Sequence, residues 1–189
     1  MEKIAVHDSY EYFELNSLQE IVNDYQNNFH GKSIEIKTNF KSINNIIINF
    51  DILDLPHILG LQYLSTKQSA SNLIQMIKGS ELSMRDIKKD NNFYKIKDRF
   101  KYYNFLNRVF FSEKRQVMVV TKDIKPPRLG KVEFLIYDYI DTNKRRIVLI
   151  GFAPTSKGYY VPATLHVRTA PNIFTTRRVT QIVEQSWIQ

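Results

Sequence analysis

The chain has no cysteine and a single tryptophan, and its six glycines and six prolines are scattered through 189 residues. Without cysteine there is no disulfide scaffold, no thiolate nucleophile and no Cys-ligated zinc. The scattered glycines form no phosphate-cradling loop, and neither a His-Glu-x-x-His helix nor a Gly-x-Ser-x-Gly elbow occurs. Four histidines, His7, His30, His57 and His166, stand too far apart for a local metal motif. No apolar run reaches the ~18 residues of a membrane span, and the first residues show no signal-peptide pattern, so a cytoplasmic protein that meets no membrane is expected, and the chemistry left open, metal-free acid and base work, needs no cofactor. Internal repeats and low-complexity tracts are missing too.

Acidic charge is also scarce, and unevenly so. Residues 1–30 carry one basic and six acidic side chains, whereas residues 31–189 carry 26 basic against 13 acidic, within an overall net charge of +8. A basic body of this kind attracts phosphate backbones, and some of the 11 tyrosines could offer stacking faces to unpaired bases. With 43% hydrophobic residues the chain can bury a sizeable core.

Hydropathy periodicity reads as helices followed by an antiparallel sheet, an α+β chain. From Ser9 to Phe29 the apolar residues Phe13, Leu15, Leu18, Ile21, Val22, Tyr25 and Phe29 make a helical stripe that stops at His30-Gly31. Residues 1–31 thus form an acidic helix ahead of a domain over 32–189, or the two are one continuous domain. Ser33–Lys37 and Asn45–Phe50 read as a strand hairpin. Asp54 is placed to cap a helix over Leu55–Leu64 with Pro56 in its first turn, and a second helix runs from Ser69 to Gly79. From Ser83 to Arg108 apolar residues recur at helical spacing among Lys and Arg, a basic amphipathic segment. Strands follow at Gln116–Thr121, Val132–Ile140, Arg145–Phe152 and Tyr159–Arg168, the last three as a meander. The tail from Asn172 to Trp187 suits a strand or a short helix.

The last of these strands carries chemistry. A two-residue period sends Val161, Ala163, Leu165 and Val167 to one face and Tyr160, Thr164, His166 and Arg168 to the other. Tyr and His can move protons, Thr can position an oxygen, and Arg can hold a phosphate with two parallel donors. The same pattern also suits a solvated strand face. Gly60, read as lying inside a short helix, points to close packing against the sheet or to room for a ligand.

The stretch from Phe50 through Pro56-His57-Ile58-Leu59-Gly60-Leu61 to Gln62, then Lys67, the helix end Ile77-Lys78-Gly79 and Phe93 through Arg99, resembles the phage-associated nuclease domains of the BECR group. That group gathers folds related to barnase, EndoU, colicin nucleases and RelE. The strand Val161-Pro162-Ala163-Thr164 resembles its C-terminal half, so that the similarity covers roughly residues 32 to 185. The resemblance implies helices packed on a four-stranded antiparallel sheet and a metal-independent ribonuclease borne by phages, prophages or mobile elements, often as a toxin or effector. Its partners would be single-stranded RNA, tRNA or mRNA, and an antitoxin or immunity protein. Carried over by position, His57 matches the family's histidine as general acid or base, Lys67 stands where a basic residue neutralises the scissile phosphate, and Arg99 is a second phosphate clamp. Thr164 resembles the hydroxyl residue that orients phosphate, while His166 rests on strand geometry alone. Lys97 and Lys101, beside Arg99, and Arg168 and Tyr160 on the strand complete the expected RNA contacts. A non-catalytic nucleic-acid-binding or host-modulating protein on the same scaffold is the competing reading.

Overall fold

A computed structural model describes residues 17–112, 117–124, 129–140 and 145–188. Among these residues six helices and seven strands are arranged in two blocks: α1 (Leu18–Asn28), β1 (Ser33–Thr38), β2 (Asn45–Asn49), α2 (Leu55–Leu59), α3 (Ala70–Lys78), α4 (Met84–Lys89), α5 (Lys97–Lys101) and α6 (Phe105–Phe111), then β3 (Val117–Val120), β4 (Phe134–Tyr139), β5 (Arg146–Pro154), β6 (Tyr160–Thr169) and β7 (Thr180–Ile188).

The strands close into a barrel in the order β1-β2-β6-β5-β4-β3-β7. The four-stranded antiparallel sheet implied by the resemblance is therefore corrected: the described residues form seven strands, and the sheet is mixed. The expected meander β4-β5-β6 and its neighbour β3 are present, all antiparallel. Two further pairings extend them. β7 lies antiparallel between β3 and β1, and the hairpin β1-β2 reaches β6 through one parallel pair, Ile48 with Tyr160. Closure removes the exposed edges an open sheet would leave.

Ile34, Ile36, Ile46, Ile48, Phe134, Ile136, Val148, Ile150, Phe152 and Leu165 share the main core with the helices. On the other face Val119, Leu135, Tyr137, Ile147 and Leu149 bury against Phe174. Strands β4 and β5 are thus covered on both sides, which is why their sequences read as nearly unbroken apolar runs. At the N-terminal side, Ser17 and Glu20 form a reciprocal capping box that stabilises α1 by about 1 kcal/mol, and its buried stripe is Leu18, Ile21, Val22 and Tyr25. Phe29, Phe50, Phe110, Phe111 and Trp187 then pack ring against ring, tying α1 and α6 to the barrel.

Three local expectations are corrected. Asp54 makes no side-chain cap to α2; Asp51 caps the short turn Ile52–Asp54 instead, and the Asp54 carboxylate accepts from the Asp51 N–H. The helix expected over Leu55–Leu64 stops at Gly60, which adopts φ +77°. The basic amphipathic segment is not one helix but α4, a 3-10 turn at Phe93–Lys95, α5 and α6. One break occurs where the Asp90 carboxylate turns from its own helix to accept the N–H groups of Asn92 and, across the fold, Ser65.

Candidate functional site

At Gly60 the chain enters the left-handed region, where a residue without Cβ meets no penalty, and α2 ends. The last carbonyls of a helix have no partner within it. Those of His57 and Ile58 accept from Nη1 of Arg99, each at 3.2 Å. Arg99 reaches them because Gly60 lacks a side chain: a Cβ there would stand 2.9 Å from Arg99 Nε. The small residue singled out in the sequence makes room for a buried guanidinium.

From the opposite side, β6 completes the cluster. Nη1 of Arg99 also donates to Thr164 Oγ1 at 3.3 Å, and Nη2 lies 3.3 and 3.4 Å from the two ring nitrogens of His166, donating to whichever carries the lone pair. The Tyr63 ring covers the guanidinium at 5.3 Å. Arg99 is only 3% exposed, and no carboxylate among the described residues pairs with it. Its Nε is buried with no hydrogen-bond partner. A buried cation is held here by carbonyl, hydroxyl and imidazole dipoles, with its Nε packed against Gly60.

Electrostatics follow from this geometry. Burial lowers the Arg99 pKa, Tyr63 acts against that, and Arg168 adds to it. Burial, then Arg99, then Arg168 push His166 down to about 3, so its ring is neutral near pH 7 and presents a lone pair. Lys97 and Lys101 are exposed on α5, and Arg168 is exposed further along β6. Asp98 pairs with Arg146 at 3.3 Å and fixes α5 to the start of β5.

The strand face is partly as expected. Thr164, His166 and Arg168 do lie on one side of β6, opposite Gly151, Leu149 and Ile147. Tyr160 does not. The register slips between Gly151 and Phe152, so that Ala163 has no partner and Pro162 lies opposite Phe152. One extra residue reverses the alternation. Tyr160 therefore joins the main core side, edge-on to Phe134 at 4.9 Å, with its hydroxyl donating to Glu133. Burial and that bond push its pKa up to about 12.

The two residues named first in the sequence behave differently. His57 contributes its backbone carbonyl to Arg99, while its side chain is exposed. Lys67 is exposed, and no hydrogen bond or ion pair among the described residues ties it to the cluster. Tyr63 is a site residue that sequence reasoning does not reach; its only signal there is its place three residues after Gly60. Of the other histidines, His30 accepts from Ile52 N–H at 3.0 Å, and His7 lies outside the described residues.

A buried arginine that no carboxylate among the described residues pairs with, set between a helix end and a strand bearing Thr and His, is the candidate site on this α+β barrel. The chain belongs to the phage-Barnase-EndoU-ColicinE5/D-RelE like nuclease4 family, whose model matches residues 17–185. This is a nuclease-family, phage-related domain, and the match also takes in residues 17–31, the latter part of the acidic segment that the sequence resemblance leaves outside. No curated protein and no solved structure matches the chain. Among the described residues no helix is long and apolar enough to cross a membrane.

Proposed function

We propose that the domain is a metal-independent endoribonuclease that cuts RNA by transesterification through the 2′-hydroxyl. The observation that carries this reading is Arg99, a buried cation that no carboxylate among the described residues pairs with, in contact with the backbone of His57 and the side chains of Thr164 and His166. In the proposed reaction Arg99 Nη2 turns from the His166 ring to the phosphate, the ring lone pair so freed removes the 2′-hydroxyl proton, and the 2′-oxygen attacks phosphorus. Arg99 and Arg168 hold the phosphorane oxygens and Thr164 orients one of them. The bond to the 5′-oxygen breaks, His57 from the lip of α2 protonates that oxygen, and a 2′,3′-cyclic phosphate remains. Burial is the largest cause of the low basicity of His166, and bound phosphate opposes only the smaller part that Arg99 and Arg168 add. Lys67, Lys97 and Lys101 contribute positive potential to flanking phosphates.

Carriage by a phage or mobile element, action in the cytoplasm as a toxin or effector, and control by an antitoxin or immunity protein belong to the same proposal; the phage-related family supports it. The competing reading is nucleic-acid binding without cleavage. It draws support from the four acceptors already around the Arg99 amino groups, as a structural strut would have.

The test is incubation of purified protein with single-stranded RNA in EDTA. Cyclic phosphate or 3′-phosphate ends are expected, 2′-deoxy substrate should be inert, and His57→Ala and His166→Ala should each lower the rate about 100-fold or more. Binding without cleavage, in a protein whose Arg99→Ala variant no longer binds, would establish the second reading instead.

A further inference from the structure

A second basic recess lies three strands round the barrel from β6, about 15 Å along the wall. It is a cleft of about 480 Å³ where the end of β3 meets the start of β7. Phe40 and Val120 form its apolar wall, Ser42 and Thr180 supply hydroxyls, and Lys122, Arg177 and Arg178 supply charge. Asp123 pairs with Arg177, but no carboxylate among the described residues pairs with Lys122 or Arg178. Lys122 also lines a neighbouring cavity of about 180 Å³ that contains Lys131 and Glu133. Glu133 is already engaged by the Tyr160 hydroxyl. The two recesses thus share one lysine, and the stretch of surface they span, a basic trough, has an excess of cations over acids.

We propose that this trough binds unpaired nucleotides of a single-stranded RNA, outside the Arg99 centre. Single-strand sites combine an apolar or aromatic wall for a base with cations that follow the backbone, and the cleft falls within the roughly 300–1,000 Å³ of small-molecule pockets. A base lies against Phe40 and Val120, with its edge toward the Ser42 and Thr180 hydroxyls, while Lys122 and Arg178 take the phosphates on either side. Asp123 holds Arg177 and repels phosphate from that side of the cleft, which directs the backbone over the two unpaired cations. Long substrates gain affinity here, and short ones do not reach it.

The inference rests on RNA being the substrate, and a non-cleavable 2′-O-methyl oligoribonucleotide separates the two ideas because it reports binding alone. By fluorescence anisotropy, Lys122→Ala with Arg178→Ala should weaken a long oligonucleotide roughly tenfold and make the log–log salt dependence shallower by about 1.4, the value for two single-strand phosphates. Phe40→Ala should weaken it by a similar factor with the salt slope unchanged, since stacking releases no counterion. A short oligonucleotide should bind all forms alike. If Lys122→Ala with Arg178→Ala binds the long oligonucleotide as the unaltered protein does, the trough is not an RNA site, and its charge is left to an acidic protein partner. If the unaltered protein does not bind the oligonucleotide at all, the RNA reading falls with it.

Discussion

Gly60 and Arg99 occupy one space: the position a Cβ would take at residue 60 is 2.9 Å from Arg99 Nε and 3.0 Å from its Cδ. The helix end and the buried cation are therefore a single construction. The backbone turn that exposes the carbonyls of His57 and Ile58 also admits the side chain that satisfies them.

Gly60→Ala should consequently combine two penalties, left-handed strain of about 1–2 kcal/mol and displacement of Arg99. Gly31→Ala isolates the first, because Gly31 has nearly the same φ, +76°, and nothing within 4 Å of its Cβ position. Chemical denaturation should show a larger loss for Gly60→Ala than for Gly31→Ala. RNA binding and cleavage should fall only in Gly60→Ala.

Two partly buried groups should give stability a pH dependence of opposite sign. His166 is lowered from 6.5 to about 3, so between those values the unfolded chain takes up a proton that the folded one refuses, and stability falls as pH drops. Asp54 is raised by burial from 3.8 to about 6, so the folded chain retains a proton that the unfolded one releases, and stability falls as pH rises through 6. The histidine is displaced further from its ordinary value than the aspartate, and its sign should prevail. Denaturation midpoints should therefore rise from pH 4 to 7 in the unaltered protein, and more steeply in Asp54→Asn. His166→Gln should reverse the slope.

Much of this construction is legible in the sequence, and the failures share a cause. Alternation at Ile34 and Ile36, and at Thr164, His166 and Arg168, is a local property, and there it leads to the right strands and faces. The unpaired Ala163 is set by the partner strand β5, so the reversal that moves Tyr160 leaves no trace in the spacing. The tail that becomes β7 is ambiguous for the same reason: its partners are β1, the strand most distant from it in sequence, and β3, with three strands' worth of chain between, and closure of the barrel depends on those pairings. Tyr63 is one of 11 tyrosines, and only its approach to Arg99 distinguishes it.

The acidic helix has a structural role in its described part. Asp24 accepts from Tyr103 Oη at 2.8 Å, Asn107 Nδ2 at 3.0 Å and Asn28 Nδ2 at 2.8 Å, while Glu20 returns to cap its own helix at Ser17. Glu11 and Glu14 lie outside the described residues. Asp24→Ala would leave the buried Tyr103 hydroxyl without its acceptor, at a cost of about 1–3 kcal/mol. Thermal or chemical denaturation should register that loss, and RNA affinity at low salt should stay unchanged. A marked gain in affinity would mean that this acid screens the basic surface.

Tyr63 determines how an anion reaches Arg99. Its side is open to solvent, the residue being 49% exposed, whereas the guanidinium beneath it is almost fully covered. A phosphate that engages Arg99 must therefore arrive where the ring now lies, and the ring must turn aside or slide over the incoming nucleotide. Tyr63→Ala removes the cover together with a cation–π contact worth about 0.5–2 kcal/mol. Association of a short RNA should quicken, because no ring has to move, and dissociation should quicken more, because nothing closes over the bound nucleotide. Tyr63→Phe keeps the ring and should retain the slow dissociation of the unaltered protein. Stopped-flow anisotropy resolves both rates, and equal dissociation rates for Tyr63→Ala and Tyr63→Phe would show that the ring does not close over the ligand.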